Sequence, residues 1–289
     1  MHPADAGTGV VFVRLDAQGR PEREIRAHAR FVTATELATV LGDDTSGPCV
    51  STIEHIMATL CGLGVDNAVV EIDGVEAPIM DGSAAAFVDA IDQVGIVALP
   101  EARRYTKVLK PIRVSKGDAY GELTPYDRGF RVDVTIDFPH PMIGRQAIAL
   151  EVEAATFRRE IARARTFGFM KDVSKLWSAG YALGASLENT LVVAEDRLLN
   201  PEGLRYADEF VRHKALDAIG DLALAGAPLL GAYKSVRGGH KLNHAVLCAL
   251  IADPTAWTVV EAKADTRPAR RGQAGAAAGL AAPAYRADA

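Results

Sequence analysis

His213 and Asp217 stand four residues apart in VRHKALDAIGDL, residues 211 to 222. The segment is rich in helix formers, and residues four apart on a helix share a face, so the two side chains project together. An imidazole beside a carboxylate makes two-thirds of a typical catalytic zinc site. A third candidate ligand, His55, lies far upstream in STIEHIMATL, directly after Glu54. Two histidines, an aspartate and a spare glutamate are the parts of a zinc hydrolase: three protein ligands, an open position for water, and a base to activate it.

Each part also has a plainer reading. An H-x-x-x-D pair on an amphipathic helix is more often a solvated polar pair. Ser51-Thr52-Ile53-Glu54 fits a capping box, in which the fourth side chain reaches back to the N-cap amide. His55, alone at the start of an apolar helix, fits an ordinary core or boundary histidine. Spacing by itself leaves these readings open.

Bulk properties narrow the class. The chain has 289 residues, 49% hydrophobic and 24% charged, which describes a folded globular protein. A net charge of -5 argues against a general nucleic-acid binder. Cys49, Cys61 and Cys248 are scattered without C-x-x-C spacing, so neither a disulfide framework nor a thiolate metal site is expected. The segment MHPADAGTGVVFVRLD has neither a basic nor an apolar signal region. The apolar stretches 222–232 and 245–252 are too short to span a bilayer. The expectation is a cytoplasmic protein without stable membrane insertion, working as a monomer.

The elements that would position these residues form two similar series. Strand-like runs occupy 9–15 and 24–33, a helix runs from near Ser51 to Gly62 or Gly64, a strand follows at 68–74, and a second helix at 83–95. After a connection at 96–105, strands are read in KVLKPIRVSKG, AYGELTPY and FRVDVTIDF, and a helix in EAATFRREIARA. SLENTLVVAED contains a strand, and ADEFVRHKALDAIGDLALAG and HAVLCALIAD are helices. The pattern predicts an α+β fold of two similar domains, residues 1–99 and 104–263, each a β-sheet packed with two helices, with the active site between them. Residues 264–289, rich in Ala, Gly, Pro and Arg, read as a disordered tail.

Five segments in order, STIEHIMATLCGLGVDNAVVEID, APIMDGSAAAFVDAI, ARTFGFMKD, DEFVRHKALDAIGDL and GGHKLNH, resemble the UDP-3-O-acyl-N-acetylglucosamine deacetylases of Gram-negative bacteria. The resemblance spans residues 6 to 262. It implies a zinc-dependent amidase of lipid A biosynthesis that removes the N-acetyl group from a UDP-sugar carrying a 3-O-linked hydroxyacyl chain. It implies one catalytic zinc ion, with ferrous iron as the alternative metal, and a UDP-linked acylated amino sugar as substrate.

Carried over residue by residue, the resemblance assigns the metal ligands to His55, His213 and Asp217 and the base to Glu54. It puts a second catalytic histidine at His240 and its supporting carboxylate at Asp221. Thr166 matches a threonine near the reacting carbonyl, Phe167 and Lys214 match substrate contacts, and residues 181–193 match an insert forming an apolar passage for the acyl chain. Arg163, Arg165, Lys234, Arg237 and Lys241 lie in or near the motifs and are weaker candidates for a basic cleft. Asp81 reads as turn and N-cap chemistry, and His140 and His244 match no ligand.

The family normally carries about two further strands, including a Gly-rich hairpin, before the residues matching MHPADAGTGVVF. A shortened N-terminus is therefore expected, with an uncovered sheet edge. Two other readings stand beside the deacetylase. A His-His-carboxylate set also ligates iron in non-haem oxygenases, and a catalytically impaired homologue would only bind metal or substrate. Glu54 and His240 argue against the latter, since binding needs neither.

Overall fold

The computed structural model of this chain describes residues 1–42 and 47–262. The tail expected from residue 264 lies outside the described residues. In the first part of the chain come β1 (His2–Pro3), β2 (Val10–Leu15), β3 (Pro21–Arg26), β4 (Val32–Ala34), β5 (Val40–Leu41), α1 (Glu54–Leu63), β6 (Ala68–Ile72) and α2 (Ala85–Val94). A four-stranded sheet has the order β1-β6-β2-β3, with β2 parallel to β6 and antiparallel to β3. Strand β2 is flanked on both sides, so its run Val11-Phe12-Val13 is buried throughout rather than alternating.

The remainder begins with β7 (Arg104–Val108), β8 (Ile112–Lys116), β9 (Ala119–Thr124), β10 (Phe130–Asp137) and β11 (Arg145–Glu151). Then follow α3 (Ala154–Thr156), β12 (Phe167–Phe169), α4 (Val173–Ser178), β13 (Leu191–Val193), α5 (Glu209–Leu222), β14 (Leu229–Val236), α6 (His240–Ala252) and β15 (Trp257–Glu261). Seven strands form the larger sheet, with β14 bonded to β10, β7 and β9. The fold is α+β, as the element pattern predicts.

Several elements differ from expectation. The run 24–33 is not one strand: β3 ends at Arg26, and a 3-10 turn at Ala29–Phe31 precedes β4. EAATFRREIARA forms only one α-helical turn before a π turn over Phe157–Ile161. Strands β11, β12, β14 and β15 carry no marked sequence signal. β14 (LLGAYKSV) holds Gly231 and Ser235 at buried positions, where a sequence reading favours turns; pairing with three neighbours makes it a strand. Cys49, Cys61 and Cys248 are free thiols, as their scattering predicts.

Helices α1 and α5 occupy the centre. Every residue of α1 except Cys61 is buried, and every residue of α5 except Arg212 and Lys214. They pack on each other, α5 lies on β10 and β11, and α6 lies on β8 and β9. One apolar core runs through Phe12 and Ile25 of the first sheet, Leu60 of α1, Leu216 of α5, and Val132 and Tyr233 of the second sheet.

Glycine sets the α1–α5 spacing. A Cβ on Gly220 would lie 2.1 Å from the Glu54 carbonyl oxygen, so only a residue without one lets the two backbones meet there. Gly62, on α1, gives the same clearance to the Phe157 ring, 2.3 Å from a Cβ built on it. Because backbone cannot yield as a flexible side chain can, Gly220→Ala is expected to cost about 1–3 kcal/mol through overpacking. Denaturant unfolding checks this, with an unchanged midpoint as the contrary result.

Candidate active site

The α1–α5 crossing brings ionisable groups into the core. Glu54 and His55 open α1, His213, Asp217 and Asp221 line one face of α5 at four-residue steps, and His240 begins α6. All six are buried. The capping-box reading of Glu54 does not hold: the α1 N-cap is Ile53, without a side-chain cap bond, and Glu54 Oε2 accepts from the Thr39 N–H at 3.1 Å.

His55, His213 and Asp217 each offer a ligand atom, and these atoms lie within 4.8 Å of one another. Asp217 Oδ1 sits 3.3 Å from His213 Nε2 and 3.9 Å from His55 Nε2. A tetrahedral ion about 2.0–2.2 Å from each ligand would set such atoms roughly 3.3–3.6 Å apart. His213 Nδ1 meets the Ala164 carbonyl at 3.0 Å. A carbonyl only accepts, so Nδ1 carries the proton and Nε2 keeps its lone pair for a metal. Asp217 Oδ1 is buried and has no hydrogen-bond partner. An orphaned carboxylate oxygen facing two imidazole nitrogens is a donor set suited to a divalent cation.

The electrostatics agree. Burial, reinforced by His213, pushes His55 down to about 3, and burial also lowers His213, so both rings are neutral as ligands must be. Burial alone would raise Asp217, but Lys214, His213, His240 and His55 hold it well below the usual carboxylate range. Glu54 is pushed up to about 7 by burial, with His240 opposing. Burial disfavours a charged His240, yet Asp221, Asp217 and Glu54 outweigh it and raise the ring to about 10.

His240 Nδ1 donates to Asp221 Oδ2 at 2.9 Å, which turns Nε2 toward Glu54 Oε1, 3.8 Å away. Three supporting residues were not anticipated. Asn243 Nδ2 donates to Asp221 Oδ2 at 2.8 Å, and the Tyr233 hydroxyl donates to Asn243 Oδ1 at 2.7 Å. Thr39 Oγ1 donates to Asp221 Oδ1 at 2.6 Å. Asn243 was findable, because it follows His240 by three on one helix face. Thr39, 182 residues from Asp221, carries no local signal.

The model of the UDP-3-O-acyl N-acetylglycosamine deacetylase family matches residues 1–252. Proteins named UDP-3-O-acyl-N-acetylglucosamine deacetylase from Brucella ovis, Brucella canis and Brucella suis are each 51% identical over 261 residues, covering 90% of this chain and 90% of each relative. The chain belongs to this deacetylase family. No helix of the described residues is long and apolar enough to cross a membrane.

The other positions assigned from the deacetylase resemblance have differing support. The Phe167 ring lies edge-on to His213 at 6.5 Å, and Lys214 Nζ sits 5.6 Å over it while pairing with Asp217 Oδ2 at 2.8 Å. Thr166 lies two residues beyond Ala164, which holds His213; no hydrogen bond joins its side chain to the cluster among the described residues. In the segment matching the deacetylase insert, Tyr181, Leu183 and Leu187 are exposed, and nearby so are Met170 and Trp177.

Two of the weaker basic candidates are committed elsewhere. Arg165 is buried, with Nε 2.9 Å from the fully buried Glu209 and Nη2 2.7 Å from the Gly203 carbonyl. Arg237 pairs with Asp137 at 2.7 Å and with Asp118. Asp81 accepts from the Ser83 N–H and pairs with Arg205, so it serves a turn; the N-cap of α2 is Ala84. His140 and His244 each bond a backbone carbonyl, of Ala194 and Ala29.

The Arg165–Glu209 pair joins the segment leading into β12 to the first turn of α5. Removing one partner strands a buried charge, so Arg165→Ala is expected to lose about 3–5 kcal/mol of stability. Urea unfolding reads the loss directly; a variant as stable as the parent would reduce the pair to an incidental contact.

Proposed function

We propose that this chain removes the N-acetyl group of UDP-3-O-(3-hydroxyacyl)-N-acetylglucosamine by zinc-dependent hydrolysis, giving a free amine and acetate in lipid A biosynthesis. The observation that carries the reading is the buried His55–His213–Asp217 set, with its orphaned Asp217 Oδ1, beside Glu54 and His240. These residues have the donor types of a hydrolytic zinc site: two neutral imidazoles and one carboxylate. The enzyme works in the cytoplasm, as a monomer, on its nucleotide-linked sugar. In this reading the site lies between two α+β units, residues 1–99 and 104–263, with α1 from the first and α5 and α6 from the second.

In this reading His55, His213 and Asp217 hold the metal. Once bound, the metal would polarise the amide carbonyl and make the attacking water far more acidic. Glu54 is the base. Its Oε2 is tied to the Thr39 amide, leaving Oε1 on the side of His240, and its raised proton affinity lets it take a proton from water near neutral pH. His240 is the acid: its Nδ1 is held by Asp221, and its Nε2 proton goes to the departing amine nitrogen as the C–N bond breaks. Thr166 and the cationic His240 supply polar stabilisation to the carbonyl oxygen as it gains charge. Lys214 and Phe167 contact the substrate, and the exposed apolar residues 181–187 meet the acyl chain.

The test is deacetylation of the acylated UDP-sugar by the chain stripped of metal and reloaded with zinc. Activity is expected to return with zinc and to fall at least about a hundredfold in Glu54→Ala, while zinc content stays stoichiometric. A folded, zinc-loaded wild type that releases no amine would sink the reading.

The pH profile checks the division of labour. Glu54 must be ionised, so kcat/KM rises with pH as Glu54 loses its proton. His240 must be protonated, so kcat/KM falls as His240 loses its own, giving a bell. His240→Ala is expected to abolish the alkaline limb; an alkaline limb that survives unchanged would assign the acid to another group.

A further inference from the structure

Among the described residues, Thr39 is the one that bonds both to the proposed base and to the carboxylate behind the proposed acid. It lies at the end of the loop from β4, just before β5, and is buried. The loop turns through Leu37, whose φ of 64° is a conformation that a non-glycine residue rarely adopts. From there all three polar groups of Thr39 are engaged. Its N–H donates to Glu54 Oε2 at 3.1 Å, its carbonyl accepts from the Ile53 N–H at 3.3 Å, and its hydroxyl donates to Asp221 Oδ1 at 2.6 Å. Asp221 Oδ2 is already occupied by His240 and Asn243, so the hydroxyl is what binds the other oxygen and fixes the carboxylate plane.

We propose that Thr39 is a positioning residue that sets the base and the acid relative to each other: its amide aims Glu54, and its hydroxyl orients Asp221 and, through it, His240. This rests on the roles given to Glu54 and His240 above. Glu54 Oε1 and His240 Nε2 are 3.8 Å apart and belong to different helices, so their spacing is held by whatever spans them. Thr39 spans them, and among the described residues no hydrogen bond joins it to His55, His213 or Asp217. Removing its hydroxyl therefore acts on proton transfer and leaves metal binding alone.

The experiment compares Thr39→Val, which keeps the shape and the amide but loses the hydroxyl, with Thr39→Ser, which restores it. A hydrogen bond to a charged group, at about 1.5–3 kcal/mol, corresponds to a loss of roughly 10- to 150-fold. Thr39→Val is expected to lose that much in kcat, with KM within about threefold and zinc affinity unchanged, and Thr39→Ser is expected to recover most of the loss. The ring signals of His240 in a nitrogen-15 NMR spectrum should move in Thr39→Val and return in Thr39→Ser, while those of His55 and His213 stay in place. Wild-type kinetics in Thr39→Val, equal impairment in both variants, or a parallel loss of zinc would each overturn the proposal. If wild type itself releases no amine, the proposed function falls separately; unmoved His240 signals in Thr39→Val would then overturn the positioning role, and selective movement would uphold it.

Discussion

The structure depends on the desolvation of ionisable side chains where α1 meets α5. Glu54, His55, His213, Asp217, Asp221 and His240 are all buried, in a region where an uncompensated charge costs several kcal/mol. Each is settled in its own way. His55 and His213 shed their charge, Asp217 keeps its own against Lys214, and Asp221 is bonded by Thr39, Asn243 and His240. The low dielectric that makes the cluster costly also strengthens the interactions that divide its protons. One carboxyl is thereby raised to about 7 and one imidazole to about 10, from burial in one case and neighbouring carboxylates in the other.

The scaffold is shaped to permit this. Gly220 lets α5 approach the Glu54 carbonyl, and Gly62 lets α1 approach Phe157, so the helices sit close enough for side chains from both to converge. The Arg165–Glu209 pair anchors the start of α5 to the segment that includes Ala164, whose carbonyl fixes the His213 tautomer. Behind His240, the line Tyr233–Asn243–Asp221 ties α6 and β14 to α5. A change in any of these contacts reaches the cluster through the packing and hydrogen bonds that hold its members in place.

Much of the site was legible in the sequence for simple reasons. The four-residue step from His213 to Asp217 is a helical period, and Glu54–His55 adjacency puts a candidate base beside a candidate ligand. The α+β class followed from alternating strand and helix patterns. His240 and Asp221 gained their roles from the resemblance, since GGHKLNH alone says nothing of what its histidine faces. The strands β11, β14 and β15 were missed because pairing, not composition, makes them strands.

Residue types and their spacing set the chemical parts: two imidazoles, a carboxylate, a spare glutamate, and the helices that carry them. Tertiary structure alone decided what those parts are. It set which oxygen of Asp217 is left without a partner, which nitrogen of His213 holds its proton, and that Thr39 reaches Asp221 from 182 residues away. The reason is that proton affinity and hydrogen-bond partnership depend on burial and on neighbours within a few ångströms, and spacing along the chain reports those only inside a single helix or strand.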